Sequence, residues 1–172
     1  MDSCDRLFLD YSARKLRQHM SRIADCLGRL TAERIWARGA ENENAVGNLV
    51  LHLSGNVRQW IVAGVGGQPD IRQRDTEFAA RGGLAAAGLA ALLGEIVEEA
   101  AGVIERVAPD RLTERLMVQG YDVTVLEAIY AVVEHFAGHA GQIVYATKLL
   151  TGEDLGYHKY LNTAAPHAEQ TP

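Results

Sequence analysis

Apolar residues return along this chain at alternating steps of three and four, and they do so in four separate segments. Leu9, Ala13, Leu16, Met20, Ile23, Leu27 and Leu30 fall on one face of a helix from about Asp5 to Leu30. Val46, Leu49, Leu53, Val57 and Trp60 form the stripe of a second, with Asn44 as its N-cap and Gly64, Gly66, Gly67 and Pro69 ending it. Leu89, Leu93, Ile96, Ala100, Val103 and Val107 mark a third, closed by Pro109. The fourth starts at Thr124-Val125-Leu126-Glu127, a capping box whose hydroxyl and carboxylate satisfy two free N–H groups. It runs to about Leu150, where Gly152 stops it. No stretch sustains a period-two alternation, so no sheet is expected; only Arg115 to Val118 has extended character.

Four amphipathic helices must bury their stripes together, and an all-α four-helix bundle does this most simply. The connections Thr31 to Glu43, Gly64 to Gly82 and Ala108 to Val123 exceed what adjacent antiparallel helices need, which leaves room for long crossovers. A single domain over 1–163 is expected. The small, polar stretch 164–172 reads as a disordered tail.

Composition narrows the partners. The net charge of -5 comes without any block of Lys and Arg, so nothing suggests binding to nucleic acid. The N-terminal ten residues carry Asp2, Asp5, Arg6 and Asp10 and no apolar core of a signal peptide. The most apolar stretch, Leu84 to Leu93, is too short to span a bilayer, so no membrane role is expected. Cys4 and Cys26 form no C-x-x-C pair, which makes the cytoplasm the default compartment, with Cys26 packed in a helix and Cys4 an incidental surface thiol.

The candidate chemistry lies in the fourth helix. Its inward stripe reads Val125, Ala128, Val132, His135, His139, Gln142, Ala146 and Leu149. Two imidazoles four residues apart sit on one side of a helix, close enough to share an ion. Six histidines in 172 residues give about 0.2 such pairs by random placement, so the position on an apolar stripe carries the weight. Bare imidazoles facing a core are destabilising without partners, and a metal ion is one such partner. On the second helix His52 lies about 60° around the axis from Leu49, with Asn48 and Asn56 one turn to either side. His52, His135 and His139 would make an open three-nitrogen site, while Asn48, Asn56 and Gln142 are candidates to orient the rings or line a substrate pocket. A zincin protease is excluded, because Phe136 occupies the place of the glutamate in H-E-x-x-H. Off the stripes, His19 is expected to face solvent, His158 to lie at the surface, and His167 to fall in the tail.

The stretches Asn48-Leu49-Val50-Leu51-His52-Leu53-Ser54-Gly55-Asn56, Arg58-Gln59-Trp60, Arg74-Asp75-Thr76-Glu77-Phe78 and Glu134-His135-Phe136-Ala137-Gly138-His139-Ala140-Gly141-Gln142-Ile143-Val144-Tyr145 resemble the DinB/YfiT-like superfamily of bacterial proteins, in an uncharacterised branch. The resemblance covers about Asp5 to Leu150; the segment Leu155 to Leu161 matches no pattern of it. It implies a bundle of up-down-down-up order, often homodimeric, and a three-histidine site falling on His52, His135 and His139. It also implies a divalent metal, zinc or nickel foremost, and in some relatives transfer or isomerisation chemistry on low-molecular-weight thiols. Three readings stay open: a thiol-dependent S-transferase, a metal-dependent hydrolase of a small substrate, and a non-catalytic homodimeric metal-binding or stress-related module.

Overall fold

Thr124 opens the longest helix as its sequence requires. Its Oγ1 accepts the Glu127 N–H at 3.2 Å, and Glu127 Oε2 accepts the Thr124 N–H at 2.7 Å. In the computed structural model, which describes residues 3–157 and Lys159, the helices are α1 (Cys4–Arg29), α2 (Ala32–Trp36), α3 (Val46–Val57), α4 (Arg74–Ala79), α5 (Ala86–Glu105) and α6 (Val125–Thr151). α3 continues without a break into a π-helical segment, Arg58–Val65, in which the Gly66 N–H reaches the carbonyl of Ile61 at 2.8 Å. Gly152, in the left-handed region at φ 74°, ends α6.

α1 packs on α5 and α6, and α3 packs on the same two helices. α1 and α3 therefore occupy opposite corners, and the long connections carry the chain between corners. This is the four-helix bundle with crossovers expected from the four stripes. Its core is built of Leu9, Leu16, Ile23, Leu53, Leu93 and Phe136, all fully buried. Each such side chain contributes about 1.5–3 kcal/mol relative to an exposed one. Cys26 is buried and Cys4 exposed, both free. Leu155 joins the core, and the Tyr157 hydroxyl donates to Asp25 Oδ2 at 2.7 Å, fastening the segment after α6 onto α1. His158 and 160–172, including the expected tail and His167, lie outside the described residues. Among the described residues no helix is long and apolar enough to cross a membrane.

Four local expectations are corrected. The N-cap of α3 is Ala45 rather than Asn44, because the Asn48 side chain supplies the capping acceptor, taking the Ala45 N–H at 3.1 Å. A small sheet exists: β1 (Arg115–Val118) pairs antiparallel with β2 (Tyr121–Thr124). Gln119 and Gly120, at φ 53° and 82°, make the two-residue turn whose twist suits a hairpin. With four residues per strand, the hairpin is too short to show a sustained alternation.

The inward stripe of α6 also turns away from the one read in sequence. The buried positions are Val125, Ala128, Ile129, Val132, Phe136, Ala140, Ile143 and Thr147, whereas Gln142 is exposed and Leu149 is 68% exposed. A strict 3.5-residue repeat falls behind a straight helix by about 20° per heptad, so its last members rotate out of the core. Finally, His19 is half-buried rather than solvent-facing, its ring 6.4 Å from that of Phe136.

Candidate metal centre

α3 and α6 pack against each other near the middle of the bundle, and this brings His52 to the His135–His139 pair. The ring centroids lie 4.4 Å apart for His135 and His139, 5.0 Å for His52 and His135, and 5.1 Å for His52 and His139. One nitrogen of each ring can be chosen so that all three lie within 4.8 Å of one another. His52 is buried, and the two rings of α6 are half-buried at the edge of its apolar stripe.

The backs of two rings are fixed. Glu77 Oε2 lies 3.1 Å from His52 Nδ1, and Gln142 Oε1 lies 2.7 Å from His139 Nδ1. The amide oxygen of Gln142 only accepts, so it places a proton on Nδ1 of His139 and leaves the lone pair on Nε2. Nδ1 of His52 stands between an acceptor, Glu77 Oε2, and a donor, Arg72 Nη2, each at 3.1 Å; in the tautomer that gives its proton to the carboxylate, Nε2 carries the lone pair. Nε2 of His52 is then 2.9 Å from Nε2 of His135, with a lone pair needing a proton or a cation between them. Burial lowers the pKa of His52, against the opposing pull of Glu77. Burial, with the neighbouring His139 and His52, lowers that of His135 to about 4. Both rings thus keep a free lone pair at neutral pH. The donor set fits a divalent ion of the zinc type: a tetrahedral ion with bonds of ~2.0–2.1 Å holds its nitrogens about 3.3 Å apart, which lies between the 2.9 Å of His52 and His135 and the 4.8 Å that bounds the set.

Glu77 is the residue that reading the stripes missed, since it sits on α4 rather than on a long helix. It is buried, and Arg72 grips it with two hydrogen bonds, Nε to Oε1 at 2.8 Å and Nη2 to Oε2 at 2.9 Å. Arg72 Nη1 donates to Gln59 Oε1 at 2.9 Å, and Gln59 Nε2 donates to Asp70 Oδ2 at 2.8 Å. The pair fits against α3 only because residue 55 is glycine: a Cβ there would stand 1.9 Å from Glu77 Oε1. The only sequence signal was the stretch Arg74 to Phe78, which carried the resemblance but no assigned role.

The other proposed polar residues divide. Gln142 meets His139. Asn48 spends its hydrogen bonds away from the rings: its amide donates to the carbonyls of Glu77 and Ala80, both at 2.9 Å, and its oxygen accepts from Arg38 at 2.7 Å. It positions the chain that carries Glu77 and Phe78, the latter packed 4.8 Å from the His52 ring. Asn56 lines a cavity of about 570 Å³ that opens beside His52 and His135. Trp60 from the π-helical segment, Tyr121 and Val123 from the hairpin, and Val132 from α6 complete much of its wall. The Trp60 indole donates to Gln119 Oε1 at 3.1 Å, tying the hairpin tip to the cavity.

This is the fold of the DinB-like helical proteins, carrying three histidines that could hold a metal ion. The chain belongs to the family described as "Protein of unknown function (DUF1572)", whose model matches residues 3–161. A conserved protein from Enterococcus faecalis shares the fold at a TM-score of 0.72 and 16% identity, over 83% of this chain and 96% of that one. A DinB-like protein, YjoA, from Bacillus subtilis does so at a TM-score of 0.63 and 14% identity, over 84% of this chain and 94% of that one. At such identities the likeness concerns the fold. A search of curated proteins finds no match.

Proposed function

We propose that this protein is a metal-dependent enzyme of the S-transferase type, which joins a low-molecular-weight thiol to a small electrophile. The observation that carries the reading is the convergence of three imidazole nitrogens, two of them oriented from behind, at the edge of a cavity rather than inside a sealed core. Three protein ligands with an open side suit a reacting site more than a structural one.

His52, His135 and His139 would hold the ion, zinc or nickel foremost. When bound, the ion supplies positive charge that favours a thiolate over a thiol at neutral pH. Glu77 and Arg72 would hold His52 from behind, and Gln142 would fix the tautomer of His139. Trp60, Val123 and Val132 shield the reacting partners from water, so charge at the site is less screened. In the transfer, sulfur forms a bond to the electrophilic carbon, the leaving group departs with its electron pair, and the thiol proton passes to solvent.

Hydrolysis of a small substrate is the second reading. It is favoured by one observation, the exposed carboxylate of Glu134 on the α6 wall of the same cavity, where it could take a proton from an attacking water. Metal-loaded protein incubated with thiol and electrophile pairs, and separately with ester substrates, tells the two apart. Thiol-dependent turnover that disappears in His139→Ala supports the transferase. Thiol-independent turnover that disappears in Glu134→Gln supports the hydrolase.

A further inference from the structure

The cavity beside the histidines carries three polar groups that the metal site does not use. Asn56 is nine-tenths buried, and its Oδ1 has no hydrogen-bond partner. It lies one helical turn from His52 on α3 and lines the cavity. A buried carbonyl oxygen without a donor is destabilising by about 1–3 kcal/mol, so a ligand that brings an N–H recovers that energy on binding.

The second group is Arg74. Its guanidinium carbon lies over the Phe78 ring, 4.9 Å from the centroid, and Phe78 in turn packs on His52. This cation–π contact uses none of the N–H donors, and Arg74 has no ion-pair or hydrogen-bond partner among the described residues. Its neighbour Arg72 differs in being consumed by Glu77 and Gln59. Arg74 is therefore the cavity's available cation, in the planar form that grips a carboxylate with two hydrogen bonds.

The third is Glu134 on the opposite α6 wall, likewise without a partner among the described residues. It disfavours a ligand that is purely anionic. Glu127, the remaining acid of the cavity, is committed to capping α6. The same cavity is lined by the Trp60 and Tyr121 rings, 6.1 Å apart and tilted by 33°, which offer an aromatic wall.

We infer that the cavity binds a small amino-acid-like or short-peptide-like ligand, its carboxylate on Arg74, an amide or amine N–H on Asn56 Oδ1, and its flat apolar part along Trp60 and Tyr121. The inference deepens the metal-site reading and rests on it for which end of the ligand reacts. Recognition itself uses no metal ligand and can be measured without an ion.

Trp36 and Trp60 are the two tryptophans of the chain, so a nitrogen–proton correlation spectrum has two indole peaks, and that of Trp60 reports on this cavity. The full-length protein, once treated with chelator and once loaded with zinc, is titrated with N-acetylphenylalanine, its methyl ester and 3-phenylpropionate. The acid should shift the Trp60 peak saturably and leave that of Trp36 in place, in both preparations. The ester, lacking the carboxylate, and phenylpropionate, lacking the N–H, should each bind about tenfold more weakly. Arg74→Gln, at an exposed position, should abolish the preference for acid over ester; Asn56→Ala should abolish the preference for the N–H. Equal binding of all three probes, preferences unchanged in Arg74→Gln, or no Trp60 shift at concentrations on the order of 10 mM would overturn the inference. Zinc binding without probe binding defeats this inference alone, and probe binding without zinc binding defeats the metal reading alone.

Discussion

Glu77 holds the Nδ1 side of His52 at 3.1 Å while the Nε2 side of the same ring faces His135 at 2.9 Å. When Nδ1 gives its proton to the carboxylate, Nε2 is left for a cation, and Arg72, which stands 3.1 Å from the same Nδ1, holds the carboxylate in place. Removing the charge of Glu77 leaves Arg72 buried without compensation, with its side chain only 3% exposed. Glu77→Gln should therefore lower stability by about 3 kcal/mol in urea denaturation. A loss under 1 kcal/mol would mean that the pair is less buried than it is here.

Gln142 offers a cleaner view of the same effect, because it is exposed. Gln142→Ala should change the urea midpoint negligibly, yet weaken zinc binding about tenfold by freeing the ring of His139. Competition against a chromophoric chelator measures this. Unchanged affinity would show that the 2.7 Å contact does not orient the ring.

Gly55 and Gly138 make a matched pair of tests. A methyl group at Gly55 meets Glu77 Oε1 at 1.9 Å, so Gly55→Ala must push the Arg72–Glu77 pair off α3 and should lose about 1–3 kcal/mol together with metal affinity. A methyl group at Gly138 meets nothing within 4 Å, and Gly138→Ala should stabilise α6 by up to about 1 kcal/mol. Thermal melts of the two variants should move in opposite directions.

Acid should weaken the metal-free protein through its half-buried histidines. Burial, aided by the charges of Lys15 and Arg22, lowers the pKa of His19 from 6.5 to about 4, and that of His135 falls to about 4 as well. The unfolded chain then takes up protons before the folded one. Stability is full above pH 6.5 and declines as the pH falls from 6.5 towards 4. Because both rings are partly exposed, solvent screening limits the combined loss to about 2 kcal/mol. Urea midpoints at several pH values check the sign, and His19→Gln should flatten the slope.

The bundle and the identity of the three histidines were legible in the sequence because both rest on one periodic signal per helix. α6 shows where that signal fails: the repeat that drew attention to His135 and His139 also placed Leu149 in the core, whereas the accumulated drift turns Leu149 out to solvent. The same rotation leaves the two histidines half-buried at the rim of the stripe, where the cavity reaches His135. Glu77 was hidden for a different reason. It reaches His52 from a six-residue helix, and no periodicity within α3 or α6 refers to it. Asn48 looked like a neighbour of His52 because they share a helix, but its amide reaches across to α4. The hairpin was lost to its shortness, although Gln119-Gly120 is the kind of two-residue turn that marks one.

The metal content of the protein, purified without an affinity tag and measured by elemental analysis beside His52→Ala, His135→Ala and His139→Ala, bears most directly on the central claim. One zinc or nickel ion per chain is expected in the native protein, and substoichiometric metal in each variant despite unchanged helical content. Native protein that stays free of metal even after incubation with zinc and nickel salts, or variants that retain a full equivalent, would contradict it.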